Sequence, residues 1–574
     1  METEIKKFFK GDVDMSEATL VKYSTDASLL SVRPALVVFP KDSEDIQRLV
    51  QWVNDNKLAR PELSLTVRAA GTCMSGGPLN DSIILDVTRY MNRIGEPIEI
   101  KPYQHTPHYP GAHPVTISGE ISVDPGVFYR DFEEKTLTKE LLLPCFTASK
   151  SINAIGGMIG NNSAGELTLQ YGKTEDYVKE LSVVFADGHE YVVRPLSRRE
   201  LYLKIAEATF EGQVYKQLFD LIKDHKSMIS AAKPRVSKNS AGYNLWNVMK
   251  DEESADDMFD LSQVIIGAQG TLGIVTKATI RLVKKPGLSK LAVVFMDDLA
   301  PLGEVVKEIL TTKPLTLESY DDKTFGLAMK FFKDFVKAKG ILGTIRFGLQ
   351  FIPEFFMVLT GGVPKIILLA EYEGVSEEEI NAKCLGLKEH MKKFHLKTHV
   401  TRSPAEAKKY WDMRRDSFAL LRKHVAGRHT APFIDDVIVR PEFLPEFLPK
   451  LNAIMAEYPN MMYTIAGHAG NGNFHIIPLM DFNDPKTATT IFEVSDRVYD
   501  LVIQYDGSIT AEHNDGIIRT PYLKKMFGQE ICDLFQTTKN IFDPKNIFNP
   551  HKKVGEGKFF LQEHILKPEA EHTS

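Results

Sequence analysis

Two histidines seven positions apart bracket a glycine-rich run, Gly467-His468-Ala469-Gly470-Asn471-Gly472-Asn473-Phe474-His475. Glycines at that density permit a tight turn, here between a strand ending near Ile465 and another starting at Phe474. Such a turn places both imidazoles on one side. Imidazole is a good ligand for Zn2+ and similar metals. A third ligand is on offer in Ala511-Glu512-His513-Asn514-Asp515-Gly516, where a carboxylate stands beside another imidazole. Each histidine alone reads more readily as structural. Together they approximate a two-histidine, one-carboxylate site with a base adjacent. Gly470-Asn471-Gly472 is no dinucleotide turn, since no helix pattern follows it. Trp411-Asp412-Met413-Arg414-Arg415 adds a guanidinium that can grip a carboxylate through two parallel hydrogen bonds. The bland alternative for Arg414 is a helix-surface arginine. His105, His108 and His113 lie in the Pro-rich stretch 101–118 and are further ligand candidates, but an exposed lid or hairpin insertion is the stronger reading. Pro-rich loops seldom hold rigid coordination geometry.

These groups need a scaffold. The chain has 574 residues, 43% hydrophobic and 25% charged, with a formal net charge of −6. That is long enough for two or more domains with sizeable cores. The acidic balance argues against nucleic-acid binding, which needs a concentrated positive surface. The four cysteines, Cys73, Cys145, Cys384 and Cys532, lie far apart without a C-x-x-C pair, which weighs against a cysteine-held cluster or zinc in this chain. No secretory signal is read at the start, and no apolar run reaches the roughly 20 residues of a membrane span. The expected location is cytoplasmic.

Near Pro34 the strand ALVVFP leads into an amphipathic helix, KDSEDIQRLVQWVNDNK, with Asp42 or Ser43 as N-cap and Ile46, Leu49, Val50 and Val53 on one face. The strands LTVRAAG and SIILDVT follow. The alternation continues to ATIRLVKKPG, and Pro286-Gly287 marks a boundary. Beyond it, LAVVFMDD, PLGEVVKEILTT, IILLAEYEG and EEEINAKCLGLKEHMKKF suggest strands covered by helices. The class is α+β: a first domain over 1–286 with its core at about 32–284, a second over 287–524, and a C-terminal helical segment, 525–574, returning to the first. Residues 325–363 stand apart, with eight Phe and the cations Lys330, Lys333, Lys337, Lys339 and Arg346. Such a stretch either lies in a membrane interface or docks a partner, or packs as a helical hairpin.

Three small-residue turns lie in the first domain. The first is Arg68-Ala69-Ala70-Gly71-Thr72-Cys73-Met74-Ser75-Gly76-Gly77. The second runs from Ser149 through Ile155-Gly156-Gly157 and Asn162 to Gly165. The third is Gly267-Ala268-Gln269-Gly270-Thr271-Leu272-Gly273-Ile274. Neither P-loop nor Rossmann spacing is present. Several backbone runs that can approach an anion or a planar ligand suit one long dinucleotide.

VRAAGTCMSGG, SINAIGGMIGNNSAGELTLQYGKTEDYV, VVFADG and GAQGTLGIVTKATIRL together resemble the flavin-binding motifs of the vanillyl-alcohol-oxidase (PCMH) type of FAD domain. Within it, the resemblance is to the FAD-linked D-lactate, glycolate and D-2-hydroxyglutarate dehydrogenases, from about residue 20 to about residue 555. The resemblance implies two α/β subdomains and a ferredoxin-like cap domain. It implies that Arg68, Ala70, Gly71, Thr72, Cys73, Ser75, Gly76 and Gly77 wrap the FAD pyrophosphate. Pro144, Ser149, Gly156, Gly157, Asn162 and Gly165 would approach the flavin or pyrophosphate, and Ile274 the adenine side. Covalent members of the wider superfamily often carry a histidine in the first loop; Gly71-Thr72-Cys73 implies non-covalent FAD.

The same resemblance makes His468, His475 and Glu512 ligands of a divalent metal, Zn2+ or Mn2+. His513 becomes the general base and Arg414 the clamp on the substrate carboxylate. Asn471 stands where the family has Asp, and Asn514-Asp515-Gly516 departs from a Gly-Ile-Gly-type continuation. Ile434 stands where relatives acting on a dicarboxylate place Lys, which favours a D-lactate-like substrate. The implied reaction passes hydride from a D-2-hydroxy acid to FAD. Electrons then go to an external acceptor, a quinone or redox protein, with peripheral attachment to the inner membrane face and a homodimer as further expectations. Two rival readings are a structural or electron-transfer flavoprotein subunit, and an alkylglycerone-phosphate synthase. The second is typified by consecutive histidines where this chain has Glu512-His513-Asn514.

Overall fold

The computed structural model describes residues 1–109, 111–250, 259–322, 363–424, 428–459, 461–555 and 557–567, with side chains of 416–424 excepted. The Phe-rich stretch falls outside the described residues up to position 362. The chain divides into two compact units. One comprises Met1–Gly165, Tyr171–Lys285 and Ser508–Ser574; the other comprises Glu166–Gln170 and Pro286–Gly507.

The first unit holds two sheets. In the four-stranded one, Leu36–Phe39 and Leu65–Arg68 flank Ile83–Asp86 in parallel, and Asp12–Asp14 adds an antiparallel edge. The helix Ser43–Asn56 begins where Asp42 accepts a hydrogen bond from the Asp45 backbone N–H. Its buried residues Ile46, Leu49, Val50 and Val53 pack with Leu36, Val38, Leu65, Ile83 and Leu85. Val37, Phe39 and Ile84 point the other way, onto Leu20 and Tyr23. Burying both faces explains the unbroken apolar runs of these strands.

The second sheet is antiparallel, in the order Ile98–His105, Val115–Val123, Ile274–Lys284, Val178–Val184, Glu190–Val193, with Leu141–Leu142 paired to Ile274–Lys284. The Pro- and His-rich stretch is therefore the turn of a hairpin, and the strand Ile98–His105 is largely exposed.

The C-terminal segment is bound into this unit by hydrogen bonds of very long sequence separation. Thr66 Oγ1 donates to Asn549 Oδ1 at 2.7 Å, and the buried ammoniums of Lys552 and Lys553 donate to the carbonyls of Leu79, Ser240 and Gly242. Ser508 Oγ donates to Asn239 Oδ1 at 2.7 Å. These contacts explain why the chain joins the first unit from Ser508 onward, where the sequence reading carried the second domain to residue 524.

Among the described residues, the second unit builds one eight-stranded antiparallel sheet. Its order is Lys397–Val400, Leu288–Met296, Ile366–Gly374, Thr316–Asp321, Met462–His468, Asn473–Met480, His429–Thr430, with Val437–Ile438 also paired to Asn473–Met480. Leu291, Val293, Phe295, Tyr320, Ile367 and Leu369 form a cluster with Tyr410, Trp411 and Met413 of the helix Pro404–His424. That packing fixes the rotation of the helix and thereby the direction of its next residue, Arg414.

Candidate functional site

In the first unit the three small-residue turns meet around the segment that carries Glu512 and His513. The first turn leaves the strand Leu65–Arg68 with Gly71 and Gly76 at φ +70° and +80°. Ala69 to Met74 is half-buried, and among the described residues nothing accepts a hydrogen bond from the backbone N–H groups of Ala70 to Met74. Consecutive unspent amides at partial burial are what an anion such as a pyrophosphate requires. Gly77 is buried, and Cys73 Sγ lies 3.2 Å from Ser75 Oγ; burial pushes the thiol's pKa up. Arg68 is turned inward. Its guanidinium donates to Thr25 O at 2.9 Å and lies over the Tyr23 ring.

The second turn opens the helix Ile155–Asn161. Gly156 is required by packing, since a Cβ there would stand 2.8 Å from the Pro125 carbonyl oxygen. A Cβ on Gly157 would meet only Ala69 Cβ, at 3.7 Å, so this face of the helix has room beside the first turn. Asn162 ends the helix at φ 53°; its amide bonds Glu175 in both directions, through Oε2 at 2.7 Å and the backbone N–H at 3.0 Å. Gly165 lies against the Phe146 carbonyl, Ser149 Oγ is 2.9 Å from Thr147 Oγ1, and Pro144 is buried. Ile274 is buried at the head of the strand Ile274–Lys284, opposite Val184.

Two side chains lock the turns together, and the sequence assigns neither of them that role. Asn514 Nδ2 donates to Gly267 O at 2.8 Å and Asn161 O at 3.1 Å. Gln269 Oε1 accepts from the Gly516 N–H at 2.8 Å, while its Nε2 donates to Asn161 Oδ1 at 3.1 Å. The first turn joins through Ser75, whose Oγ donates to His513 O and whose carbonyl accepts from Ile517 N. The Asn514-Asp515-Gly516 departure is thus a structural joint. Asn514 sits at φ +70°, Asp515 pairs with Lys553 at 2.9 Å, and a Cβ on Gly516 would lie 2.1 Å from Ser75 O. Glu512 is 7% exposed and accepts from the fully buried Lys238 ammonium at 3.0 Å; His513 Nε2 is 4.0 Å from Glu512 Oε1. Lys238 was not singled out, because nothing in the sequence pairs it with a residue 274 positions away.

In the second unit the histidine pair is a hairpin, as its glycines suggest. Met462–His468 and Asn473–Met480 are joined by a 3-10 turn, with His468 opposite Asn473. His475 lies two residues beyond Asn473, so both imidazoles project from one face. Their ring centroids are 5.4 Å apart at 83°. Gly472 adopts φ +71°, and a Cβ there would stand 1.9 Å from Val439 O; one on Gly467 would stand 2.2 Å from Asn473 O. Each imidazole is held at Nδ1 by a buried carboxylate: His468 by Glu318 at 2.7 Å and His475 by Asp435 at 3.2 Å. Carboxylates on one ring nitrogen raise the basicity of the other and fix ring direction, which is how metal-binding histidines are supported.

Glu318 also pairs with Arg414, and Arg414 Nη1 lies 3.9 Å from Glu166 Oε1. Arg415 makes a bidentate pair with Glu166, at 2.9 and 2.5 Å, and lies over the Trp411 ring. Arg414 is 8% exposed and so is no surface arginine. Ile434 is fully buried, beside the Asp435 that holds His475. His113 is exposed, whereas His105 and His108 gather around Asp176 in the first unit.

Residues 34–194 match the family model described as an FAD binding domain, and residues 285–553 match that for the C-terminal domain of FAD linked oxidases. The D-2-hydroxyglutarate dehydrogenase of Escherichia coli (strain K12) is 26% identical over 95% of this chain and 50% of its own length. The chain spans about half the length of that protein and of three further dehydrogenases of the same name. The glycolate oxidase subunit GlcD of Bacillus subtilis (strain 168) is 26% identical over 94% of this chain and 93% of its own. Among solved structures, 4-ethylphenol oxidase from Gulosibacter chungangensis matches with a TM-score of 0.64 at 14% identity, covering 96% of each chain. An alkyldihydroxyacetonephosphate synthase matches at 0.63 and 14%, covering 96% of this chain and 85% of its own. The fold is the vanillyl-alcohol-oxidase (PCMH) type, as the motifs imply. No described helix is long and apolar enough to cross a membrane.

Proposed function

On the premise that this chain joins an FAD binding domain to an FAD linked oxidase C-terminal domain, we propose that it oxidises a D-2-hydroxy acid, D-lactate-like in size, to the 2-oxo acid. The observation that carries the reading is the support given to the site residues: a buried carboxylate behind each hairpin imidazole, and Glu512 and His513 on a segment bonded to all three small-residue turns.

The residue types suit both groups. The amides of Ala70 to Met74 suit the pyrophosphate of non-covalent FAD. His468, His475 and Glu512 suit a divalent cation, Zn2+ or Mn2+, because two imidazoles and a carboxylate are its ordinary donors. FAD, when bound, supplies the two-electron sink for the Cα hydride. The metal, when bound, supplies Lewis acidity toward the substrate hydroxyl. His513 takes up the hydroxyl proton at its imidazole, the type of side chain suited to proton transfer near neutrality. Arg414 holds the substrate carboxylate and fixes which face of Cα is presented. Glu318, shared between Arg414 and His468, sets the position of both. Lys238 sets that of the Glu512 carboxylate. Electrons leave to an external quinone or redox protein.

The test is anaerobic titration of the yellow protein with D- and L-2-hydroxy acids, following flavin bleaching. A D-lactate-like acid should bleach it, and His513→Ala should slow single-turnover bleaching by about 10²–10⁴. Wild-type bleaching by that variant would sink the role of His513. Failure of every acid to bleach the flavin would favour an electron-transfer or structural subunit. A second substrate, D-2-hydroxyglutarate, is favoured by the names of the relatives and disfavoured by the uncharged Ile434. The same titration separates the two.

A further inference from the structure

The hairpin inserted between Ile98 and Val123 carries a second cluster of metal-binding donors, remote in sequence from those of the proposed reaction. His105 is the last residue of its strand, so its backbone is fixed by the pairing with Val115. His108 is tethered through its main chain: its N–H donates to Asp176 Oδ1 at 2.9 Å, and its ring Nδ1 approaches the same oxygen at 2.8 Å. His105 Nε2 stands 3.7 Å from Asp176 Oδ1, beyond hydrogen-bond range, and is buried without a hydrogen bond to any described residue. Asp176 itself is fully buried. Its other oxygen accepts the Lys173 N–H at 2.9 Å, and a Cβ on Gly172 would stand 2.4 Å from that oxygen. The carboxylate is thus held from behind.

Three donor atoms, one from each residue, lie within 4.8 Å of one another. In a tetrahedral zinc site, ligands at about 2.0–2.1 Å from the ion stand about 3.3 Å apart. The observed 2.8 and 3.7 Å from the two ring nitrogens to Asp176 Oδ1 bracket that spacing. An unpaired buried nitrogen is otherwise a cost, which a cation bound at that nitrogen would remove. Pro-rich loops are seldom rigid enough to hold a metal. Here the strand end and the main-chain bond to Asp176 remove that looseness for two of the three donors. His113, the other histidine of the stretch, takes no part.

We propose that His105, His108 and Asp176 bind a divalent transition-metal ion of the zinc type, which clips the inserted hairpin onto the Thr174–Tyr177 turn of the first unit. The role is structural. Three protein ligands leave a coordination position for water.

The test uses full-length protein carrying His468→Ala and His475→Ala, which disables the metal site of the proposed reaction. The protein is stripped with a chelator and titrated with Zn2+ alone, then with Co2+ as a spectroscopic probe. One equivalent should bind, with the visible absorption of a low-coordinate Co2+ centre, and Zn2+ should raise the melting temperature. Adding His105→Ala and His108→Ala should remove the bound equivalent, the absorption and the shift, while far-UV circular dichroism stays that of the parent. Should that variant misfold, His108→Gln alone serves, with at least a tenfold loss of Zn2+ affinity expected. No stoichiometric metal in the His468/His475 background, or metal that survives loss of His105 and His108, overturns the proposal. Failure of the reaction's own metal would show instead as equal metal content with and without His468 and His475.

Discussion

Glu318 is where the supporting network can be tested most sharply. It is 1% exposed, in the strand Thr316–Asp321, and its carboxylate faces His468 on one side and Arg414 on the other, with Thr316 Oγ1 donating at 3.0 Å. Glu318→Gln keeps the shape and one acceptor oxygen but removes the charge. Arg414, 8% exposed, then has Glu166 at 3.9 Å as its counter-charge. Removing one partner of a buried pair costs about 3–5 kcal/mol, and the remaining carboxylate places this case at the lower end, about 3 kcal/mol. The imidazole loses the anion that fixes its ring direction, and losses of this kind lower metal affinity about 10–100-fold, or about 1.4–2.7 kcal/mol. Urea unfolding gives the first quantity, and competition with a chromophoric chelator gives the second. A Glu318→Gln protein within about 0.5 kcal/mol of the parent in stability, with unchanged metal affinity, would refute the network.

Asn514→Ala removes three hydrogen bonds, two donated to Asn161 O and Gly267 O and one accepted from the Asp515 N–H, and leaves a non-glycine residue at φ +70°; a loss of about 2–4 kcal/mol is expected, read as a lower urea midpoint and faster FAD release on dilution. Gly472→Ala forces a Cβ against Val439 O at the head of the hairpin and should cost at least about 2–3 kcal/mol while lowering metal content, by elemental analysis, with FAD retained. Asp26, whose carboxylate accepts from the Gly76 N–H, has its pKa pushed up to about 6 by burial, from an ordinary value near 4. Between those values the folded protein holds the extra proton, so its stability falls as pH rises from about 4 through 6. For this partly covered group the loss is about 1–2 kcal/mol. Asp26→Asn should flatten that slope in urea midpoints of FAD-free protein at pH 4.5 and 8, and an unchanged slope would refute the assignment.

What the sequence disclosed follows from the range of the forces concerned. Asp42, Ile46, Leu49, Val50 and Val53 could be read because capping and helical periodicity act within a few residues. The His468–His475 hairpin could be read because Gly467 and Gly472 mark close backbone approaches inside a nine-residue window. Glu318, 150 positions before His468, could not. A lone Glu within an apolar strand was the available signal, since a charge is seldom buried unless paired. Asn514 and Gln269 were hidden for a different reason. The family pattern points to the ligands, and the departure beside them carries no sign in the sequence that it is a joint between turns. Asp176 was quoted within a flavin-binding motif, with nothing to connect it to histidines some 70 residues earlier.

The first unit is assembled from stretches of chain that the ribosome delivers far apart in time. Residues up to Lys285 emerge first, but Thr66 and Leu79 await Asn549 and Lys552, and the Ser75 turn awaits Ile517. More than two hundred residues of the second unit must be made in between, which at about 5–20 residues per second takes roughly 10–45 s. During that interval the edge of Leu65–Arg68 that later meets Phe548 stays uncovered. Nascent chains stalled near residue 500 should therefore engage chaperones through this edge and be cut there by added protease, whereas released full-length chains should resist.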